Sequence, residues 1–102
     1  MQIVVSVRHT NITDEMKEYA ERKASKLLKY YDRIQEIEVI LDHDSTHQHK
    51  VEVIVNAEHR NMFVASETGD DVLACTDLAV DKLSRQLTRH KDKHRNRKHP
   101  ES

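Results

Sequence analysis

The chain has 102 residues, 34% charged and 36% hydrophobic, which predicts one compact domain with a small core. No apolar run approaches the roughly 18 residues that a membrane helix needs, and the first residues lack the pattern of a signal peptide. The single cysteine excludes an intramolecular disulfide framework and is typical of a reducing compartment. We therefore expect a cytoplasmic protein with no membrane partner.

The formal net charge of −1 conceals a separation of charge along the chain. Residues 1–81 contain 9 Lys and Arg against 16 Asp and Glu, whereas residues 82–99 contain 8 against 1. Clustered charge, rather than the net charge, determines whether a protein attracts a polyanion. The basic end therefore favours binding to nucleic acid, with a tail that merely keeps the protein soluble as the alternative.

The first third of the chain predicts a strand followed by a helix. Apolar residues alternate with polar ones over residues 3–7, as in a strand with one buried face. The hydroxyl of Thr13 can cap a helix, and acidic residues follow it where the helix dipole favours them. Apolar residues then recur at spacings of three and four, which predicts an amphipathic helix to about Tyr31.

Three further strands and a second helix are predicted next. Alternating apolar residues mark strands over residues 36–42, 50–58 and 63–65. The turn at residues 57–61 joins the last two, and Asn61 is the residue there best suited to a positive φ. A second amphipathic helix is expected from Asp70 and Asp71 to about Lys91.

The end of the chain predicts a boundary between a folded domain and a tail. Residues 94–102 include no apolar residue and contain Pro100. Such a segment cannot bury enough surface to fold. We therefore expect a domain over residues 1–93 and a disordered basic tail over residues 94–102.

The element order β-α-β-β-β-α predicts an α+β fold with two layers. A strand, a helix and a strand favour a right-handed crossover between parallel neighbours, whereas short turns favour antiparallel hairpins. Each strand and each helix has one apolar face. We therefore expect a four-stranded mixed sheet with both helices on one face, in outline similar to double-stranded-RNA-binding domains.

Basic residues recur at helical spacing on both predicted helices. If the helices lie side by side, the two stripes form one cationic ridge, although a solvated helical face is the simpler interpretation. Few aromatic residues argue against stacking on single-stranded bases, so folded RNA read by its backbone is the better fit. The stripes consist of Arg22, Lys26, Lys29 and Arg33 on the first helix, and Lys82, Arg85, Arg89 and Lys93 on the second.

Two segments resemble a known family. The segment from Asp71 to Leu87 ends in Asp-Lys-Leu-Ser-Arg-Gln-Leu, and the residues that follow are similar to the family's His-Lys ending. The first helix is similar to the family's helix that ends in Lys-Leu-x-x-Tyr-Phe. Over about residues 1–93, the sequence resembles the short hibernation-promoting factors, the ribosome-associated inhibitor group of bacteria.

This resemblance implies a function without chemistry. Such a protein binds the small ribosomal subunit at the decoding region, blocks mRNA and tRNA, inhibits translation and preserves idle ribosomes in stationary phase. It also implies contact with ribosomal RNA through the basic residues of both helices. By matched position these are Arg22, Lys23, Lys26, Lys29, Lys82, Arg85, Arg89, Lys91 and Lys93. The aliphatic stem of Lys23 could equally pack along the edge of the core.

The resemblance to the short members also implies partners. Long members carry a second domain that pairs ribosomes. This sequence resembles the short type, which acts beside a separate ribosome modulation factor. We expect no cofactor, a free protein that is a monomer, and no enzyme activity, because phosphate loops and nucleophile motifs are missing from the sequence.

Two other functions stay open at this point. A general binder of structured RNA with this fold would lack ribosome specificity. A zinc-binding protein would use His43, His47 and His49, although zinc needs three or four converging ligands. Outside these alternatives, Cys75 is expected to be a small buried residue, and Tyr30 or Tyr31 is a candidate for stacking on RNA if its ring is exposed. The acidic strand residues Glu36, Glu38 and Glu52 could serve to repel non-specific RNA.

Overall fold

The computed structural model describes residues 2–43 and 48–97, with side chains as far as Asp92. Its elements follow the predicted order β-α-β-β-β-α. They are β1 (Gln2–Val7), α1 (Asp14–Ser25), a 3-10 turn (Lys26–Lys29), β2 (Ile34–His43), β3 (His49–Ala57), a 3-10 turn (Glu58–Arg60), β4 (Met62–Gly69) and α2 (Val72–Arg97).

The four strands form one mixed sheet in the order β1-β2-β3-β4. β1 pairs parallel with β2, with Val5 opposite Val39. β3 then pairs antiparallel with β2 and with β4, which places Val53 opposite both Val39 and Ala65. The parallel pair requires the crossover through α1 and the antiparallel pairs follow from the short turns, so the predicted topology is confirmed.

The core lies between one face of this sheet and both helices. The inward residues of β2 and β3, such as Val39 and Val53, are fully buried. From the helices, Ala24, Leu83 and Leu87 pack against them. Burial of one apolar face from each element confirms the predicted two-layer arrangement.

Both helices begin as the sequence predicts. The Thr13 hydroxyl accepts a hydrogen bond from the backbone N–H of Met16 at 3.2 Å. Asp71 caps α2 in the same manner, since its Oδ1 accepts from the N–H of Leu73 at 3.0 Å. These caps satisfy amide groups that have no partner within the helix.

The ends of the helices differ from the prediction. α1 stops at Ser25, whose hydroxyl donates to the carbonyl of Arg22 at 2.7 Å, and a 3-10 turn replaces the expected α-helix. This tighter turn places Leu27 in the core. At the other end, α2 continues to Arg97 rather than fraying near Lys91, because neither Gly nor Pro interrupts it.

The prediction for Asn61 was wrong. Its φ is −72°, whereas His59 and Arg60 take the positive values of 63° and 61°. Asn61 already belongs to the strand geometry, since its carbonyl accepts from the N–H of Ala57 at 2.8 Å. A short hairpin loop needs positive φ at its central residues to match the twist of the strands.

Some predictions stay untested. The division into a domain of residues 1–93 and a tail of residues 94–102 stays a prediction, and residues 98–102 lie outside the described part of the chain. Residues 44–47 also lie outside it. None of the helices within residues 2–43 and 48–97 is long and apolar enough to cross a membrane.

Candidate RNA-binding surface

The helical layer contains an open groove between the first helix and α2. One wall is formed by Lys23 on α1, by Lys26 in the 3-10 turn, and by Tyr30, which directly follows that turn. The opposite wall belongs to α2 and carries both polar and apolar side chains. These are Asp77, Leu78, Val80, Asp81 and Ser84.

The groove extends along α2 toward its C-terminal half. Tyr30 and Ser84 line both parts. The second part adds Arg85 and Arg89, together with Thr88 and Asp92. We call the two parts together the inter-helix groove. Four predicted RNA-binding residues therefore line one continuous surface: Lys23, Lys26, Arg85 and Arg89.

Acidic residues also line the groove, and ion pairs engage two of them. Asp81 accepts from Arg85 at 2.9 Å, one helical turn away, and Lys23 lies 3.4 Å from Asp77. In the described part of the chain, Lys26 and Arg89 make no ion pair. Among the cations that line the groove, these two can therefore meet an incoming phosphate without first breaking an internal contact.

A hydrogen bond between the two helices fixes one end of the groove. The Tyr19 hydroxyl donates to Oδ1 of Asp77 at 2.6 Å, and Lys23 approaches the same oxygen. This bond to a carboxylate is the main reason that the pKa of Tyr19 lies above its ordinary value, with burial as the second cause. The ring of Tyr19 also lies within 5.9 Å of the guanidinium of Arg22.

Sequence reasoning missed this contact because the partners are 58 residues apart. Asp77 lies in the motif that carries the family resemblance, but a motif does not specify the partner of a side chain. From the sequence, Tyr30 is a candidate only for stacking on RNA. Its exposure at 41% and its place in both parts of the groove make it the aromatic residue of this surface.

Lys82 lies on a different side of α2. It forms an ion pair with Glu67 on β4, and its Nζ is 3.5 Å from the carbonyl of Ser66. One turn later, Gln86 donates to the carbonyl of Val64 at 3.1 Å. These contacts cover part of the free edge of β4, which protects an edge strand from pairing with another chain.

The other predicted basic residues are distributed around the groove. Arg22 lines a shallow depression on the β1 side of α1, beside Ile3. Lys29 and Lys91 are exposed, and the side chain of Lys93 lies outside the described residues. Arg33 pairs with Glu58 at 2.9 Å, beside the hairpin. The single ridge expected from spacing is thus divided between the groove and the two sides of the helical layer.

The histidine, cysteine and tyrosine candidates considered next do not line the groove. The rings of His43 and His49 lie edge to face at 5.1 Å, but His47 lies outside the described residues. Within residues 2–43 and 48–97, no three possible metal ligands come together. Cys75 is buried as expected, and burial raises the pKa of its thiol. Tyr31 is buried against His90, so its ring is not available for stacking on RNA.

The fold and the groove define a class of protein: a small two-layer domain that presents basic side chains on its helical face. That arrangement suits the sugar-phosphate backbone of folded RNA. The chain belongs to the family described as Sigma 54 modulation protein / S30EA ribosomal protein, which matches residues 3–95.

Individual relatives agree with this membership. The chain is 35% identical over 101 residues to a ribosome hibernation promoting factor of Azotobacter vinelandii, with 91% of this chain and 85% of the relative covered. It is 37% identical over 99 residues to the Escherichia coli K12 protein of that name, covering 91% and 96%. The chain is therefore a homologue of the ribosome hibernation promoting factors, which confirms the resemblance and agrees with a non-enzymatic function.

Solved structures share the fold. The N-terminal domain of Thermus thermophilus Protein Y has a TM-score of 0.73 at 27% identity, over 87% of this chain and 94% of that one. A ribosomal subunit interface protein from Coxiella burnetii has a TM-score of 0.80 at 24% identity, over 90% and 99%. At that lower identity, the likeness supports the fold alone.

Proposed function

We propose that this protein is a ribosome hibernation factor of the cytoplasm. It binds the RNA of the small ribosomal subunit at the decoding region, blocks mRNA and tRNA there, and preserves idle ribosomes. The domain of residues 1–93 carries this activity as a monomer and acts beside a separate ribosome modulation factor. The names of the relatives support the ribosome as the partner.

The observation that carries the proposal is the inter-helix groove. The 3-10 turn after α1 and the helix α2 place Lys26 and Arg89 on one surface, and Lys23 and Arg85 add two further cations. Guanidinium and ammonium groups recognise phosphate oxygens, and each neutralised phosphate releases condensed counterions. The groove is therefore the place where the RNA backbone would bind most strongly.

Contacts outside the groove extend the proposed surface. Lys29 and Lys91 are exposed, so both are free to reach RNA beside it. Arg22 and Lys82 flank the helical layer on its two sides, and Lys93 follows on α2. We expect these flanking residues to contribute less than the groove, because exposed cations at the rim of an interface mainly raise the association rate.

The test is co-sedimentation of the protein with purified small ribosomal subunits. Salt is raised in steps, and an excess of duplex RNA is present as a competitor. We expect retention at one copy per subunit despite the competitor. A generic RNA binder would instead be lost to the duplex, which separates the second candidate function from the first.

A matched pair of variants locates the surface. Lys26→Glu with Arg89→Glu reverses the two groove cations that lack ion pairs. Two lost phosphate contacts should lower the slope of log affinity against log salt by roughly 2. The control, Lys17→Glu with Lys50→Glu, changes the net charge equally at exposed residues outside the groove. Equal losses in both double variants would show that only net charge matters and would refute the groove as the site.

A further inference from the structure

The face of the sheet opposite the helices is open, and its side chains form an ordered pattern. In the register of the strands, Glu38 lies opposite Ile54 and Ile40 lies opposite Glu52. Neighbouring positions on one sheet face therefore alternate between a carboxylate and an apolar side chain, both along the strands and across them. We call these four residues the checkerboard.

The apolar part of this face continues beyond the checkerboard. Val64 lies opposite Ile54, and Met62 occupies the next outward position of β4. They are 39% and 62% exposed, and they belong to the few large apolar residues of the described chain that are exposed. Both helices pack on the other face, where the core cluster lies. An exposed apolar patch rimmed by polar residues is typical of a surface that binds another protein.

The acidic part of this face is not neutralised. Within the described residues, Glu36 and Glu52 make no ion pair, and Glu38 accepts only from the hydroxyl of Ser6 at 3.5 Å. Two basic residues lie at one end of this face: the register places Lys50 opposite Asp42, and the charge of Arg8, directly after β1, also acts on Asp42. The face therefore carries an excess of negative charge, which attracts a cationic partner and repels RNA.

The free edge of β4 is a less favourable place for a partner than the open face. Lys82 and Gln86 approach the outward carbonyls of Ser66 and Val64, so a partner strand would have to displace them. On the open face no helix packs against the sheet, and Met62, Val64 and Ile54 keep exposed surface. Its four strands, about 4.8 Å apart, give an area of about 500 Å², which corresponds to the small, transient class of protein interfaces.

We propose that the open face of the sheet is a docking site for a basic protein segment in extended conformation, with apolar side chains between its cationic ones. Side chains i and i+2 of an extended segment point the same way and lie about 7 Å apart. Such a segment can place Lys or Arg over Glu38 and Glu52, and an apolar side chain over Ile54 and Val64, whereas Ile40 is only 7% exposed and offers little contact. The protein then has two binding faces of opposite charge, the helices for RNA and the sheet for protein.

The test is a titration of the ¹⁵N-labelled full chain with synthetic peptides, followed by amide chemical shifts. The probe is Lys-Ser-Val-Ser-Lys-Ser-Val-Ser-Lys, which presents Lys and Val alternately on one side. Two further peptides replace Val by Ser or Lys by Glu. We expect shifts of amides in β2, β3 and β4 with the first peptide, binding roughly tenfold weaker without Val, and none with the Glu peptide.

Variants of the protein distinguish the checkerboard from general charge. Glu38→Gln with Glu52→Gln should weaken binding of the Lys–Val peptide roughly fivefold, since two exposed charge pairs are lost. The matched control, Asp32→Asn with Asp70→Asn, removes two exposed loop carboxylates and should leave the affinity unchanged. Equal binding of the Val and Ser peptides, or equal effects of the two double variants, would overturn the proposal.

The same spectra separate this proposal from the proposed function. A duplex RNA should shift amides of α1 and α2 while leaving those of β2 and β3 in place. Shifts of the open face by RNA would overturn the assignment of this face to protein. Shifts that depend on protein concentration without any peptide would identify a second copy of the chain as the occupant and would overturn it as well.

Discussion

Removal of the Tyr19 hydroxyl tests the contact that joins the two helices at the groove. In Tyr19→Phe, Asp77 loses a hydrogen bond of 2.6 Å but keeps Lys23 at 3.4 Å. The ring of residue 19 stays in place, so packing changes little. The substitution therefore isolates a single hydrogen bond to a carboxylate.

The loss of stability that we expect depends on how exposed the Asp77 side chain is. A hydrogen bond to a charged group contributes about 1.5–3 kcal/mol when its partner cannot find water. The Asp77 side chain is 45% exposed, so water can replace the lost donor. We therefore expect a loss below this range, about 1 kcal/mol, which corresponds to a decrease in Tm of about 4–8 °C for a domain of this size.

The same bond gives a pH dependence. The pKa of Tyr19 is raised in the folded state, mainly by the hydrogen bond to Asp77. A raised pKa stabilises the folded state fully below the unfolded pKa of about 10, and this contribution is lost as the pH rises through the folded value. The difference in stability between the wild type and Tyr19→Phe should be constant from about pH 7 to 9 and smaller above about pH 10.

The assay is urea unfolding at pH 7 and above pH 10. Tyr30→Phe is the matched control, because its ring is exposed and its hydroxyl makes no hydrogen bond within the described residues. The control should change the free energy of unfolding by less than about 0.5 kcal/mol at both pH values. Two results would refute the reasoning. One is a Tyr19→Phe variant as stable as the wild type at pH 7, and the other is a difference in stability between the two proteins that grows above pH 10.

Two further predictions concern local packing and capping. An added Cβ at Gly69 would lie 3.1 Å from the Cys75 sulfur. The Gly69→Ala variant should therefore lose about 1 kcal/mol of stability, and less in a Cys75→Ala background. Thermal unfolding measures both, and an equal loss in the two backgrounds would contradict the contact. Thr13→Ala should lose about 1 kcal/mol because the N–H of Met16 loses its partner. Thr13→Ser keeps the oxygen and should lose less, and helical circular dichroism during thermal unfolding measures both; equal losses would argue against the cap.

The fold was predictable because its signals are local. Alternation at Val51, Val53 and Val55 shows which side of β3 is buried, and all three are fully buried. The caps at Thr13 and Asp71 act on amides two or three residues away. The turn geometry was not predicted correctly from the sequence, because the positive φ values lie at His59 and Arg60 rather than at Asn61. Which loop residues take positive φ depends on the twist of the two strands that the loop joins.

The candidate surface was only partly predictable. Helical spacing correctly indicated that Lys26 and Arg89 are exposed, but not that they line the same groove. It also grouped Lys82 with them, although Lys82 contacts Glu67 on the far side of α2. The position of a side chain around its helix can be read from the sequence, whereas its neighbours depend on how that helix is rotated against the sheet.

The sequence by itself determined the order of the elements, the face of each that is buried and the separation of charge. These properties depend on backbone periodicity and on contacts between near neighbours in the chain. Only the tertiary structure decided that Tyr19 meets Asp77, that the basic residues divide between the groove and the β4 edge, and that Glu38, Ile40, Glu52 and Ile54 form a checkerboard. Those contacts join distant parts of the chain, because strand register and helix packing result from the whole core rather than from any one segment.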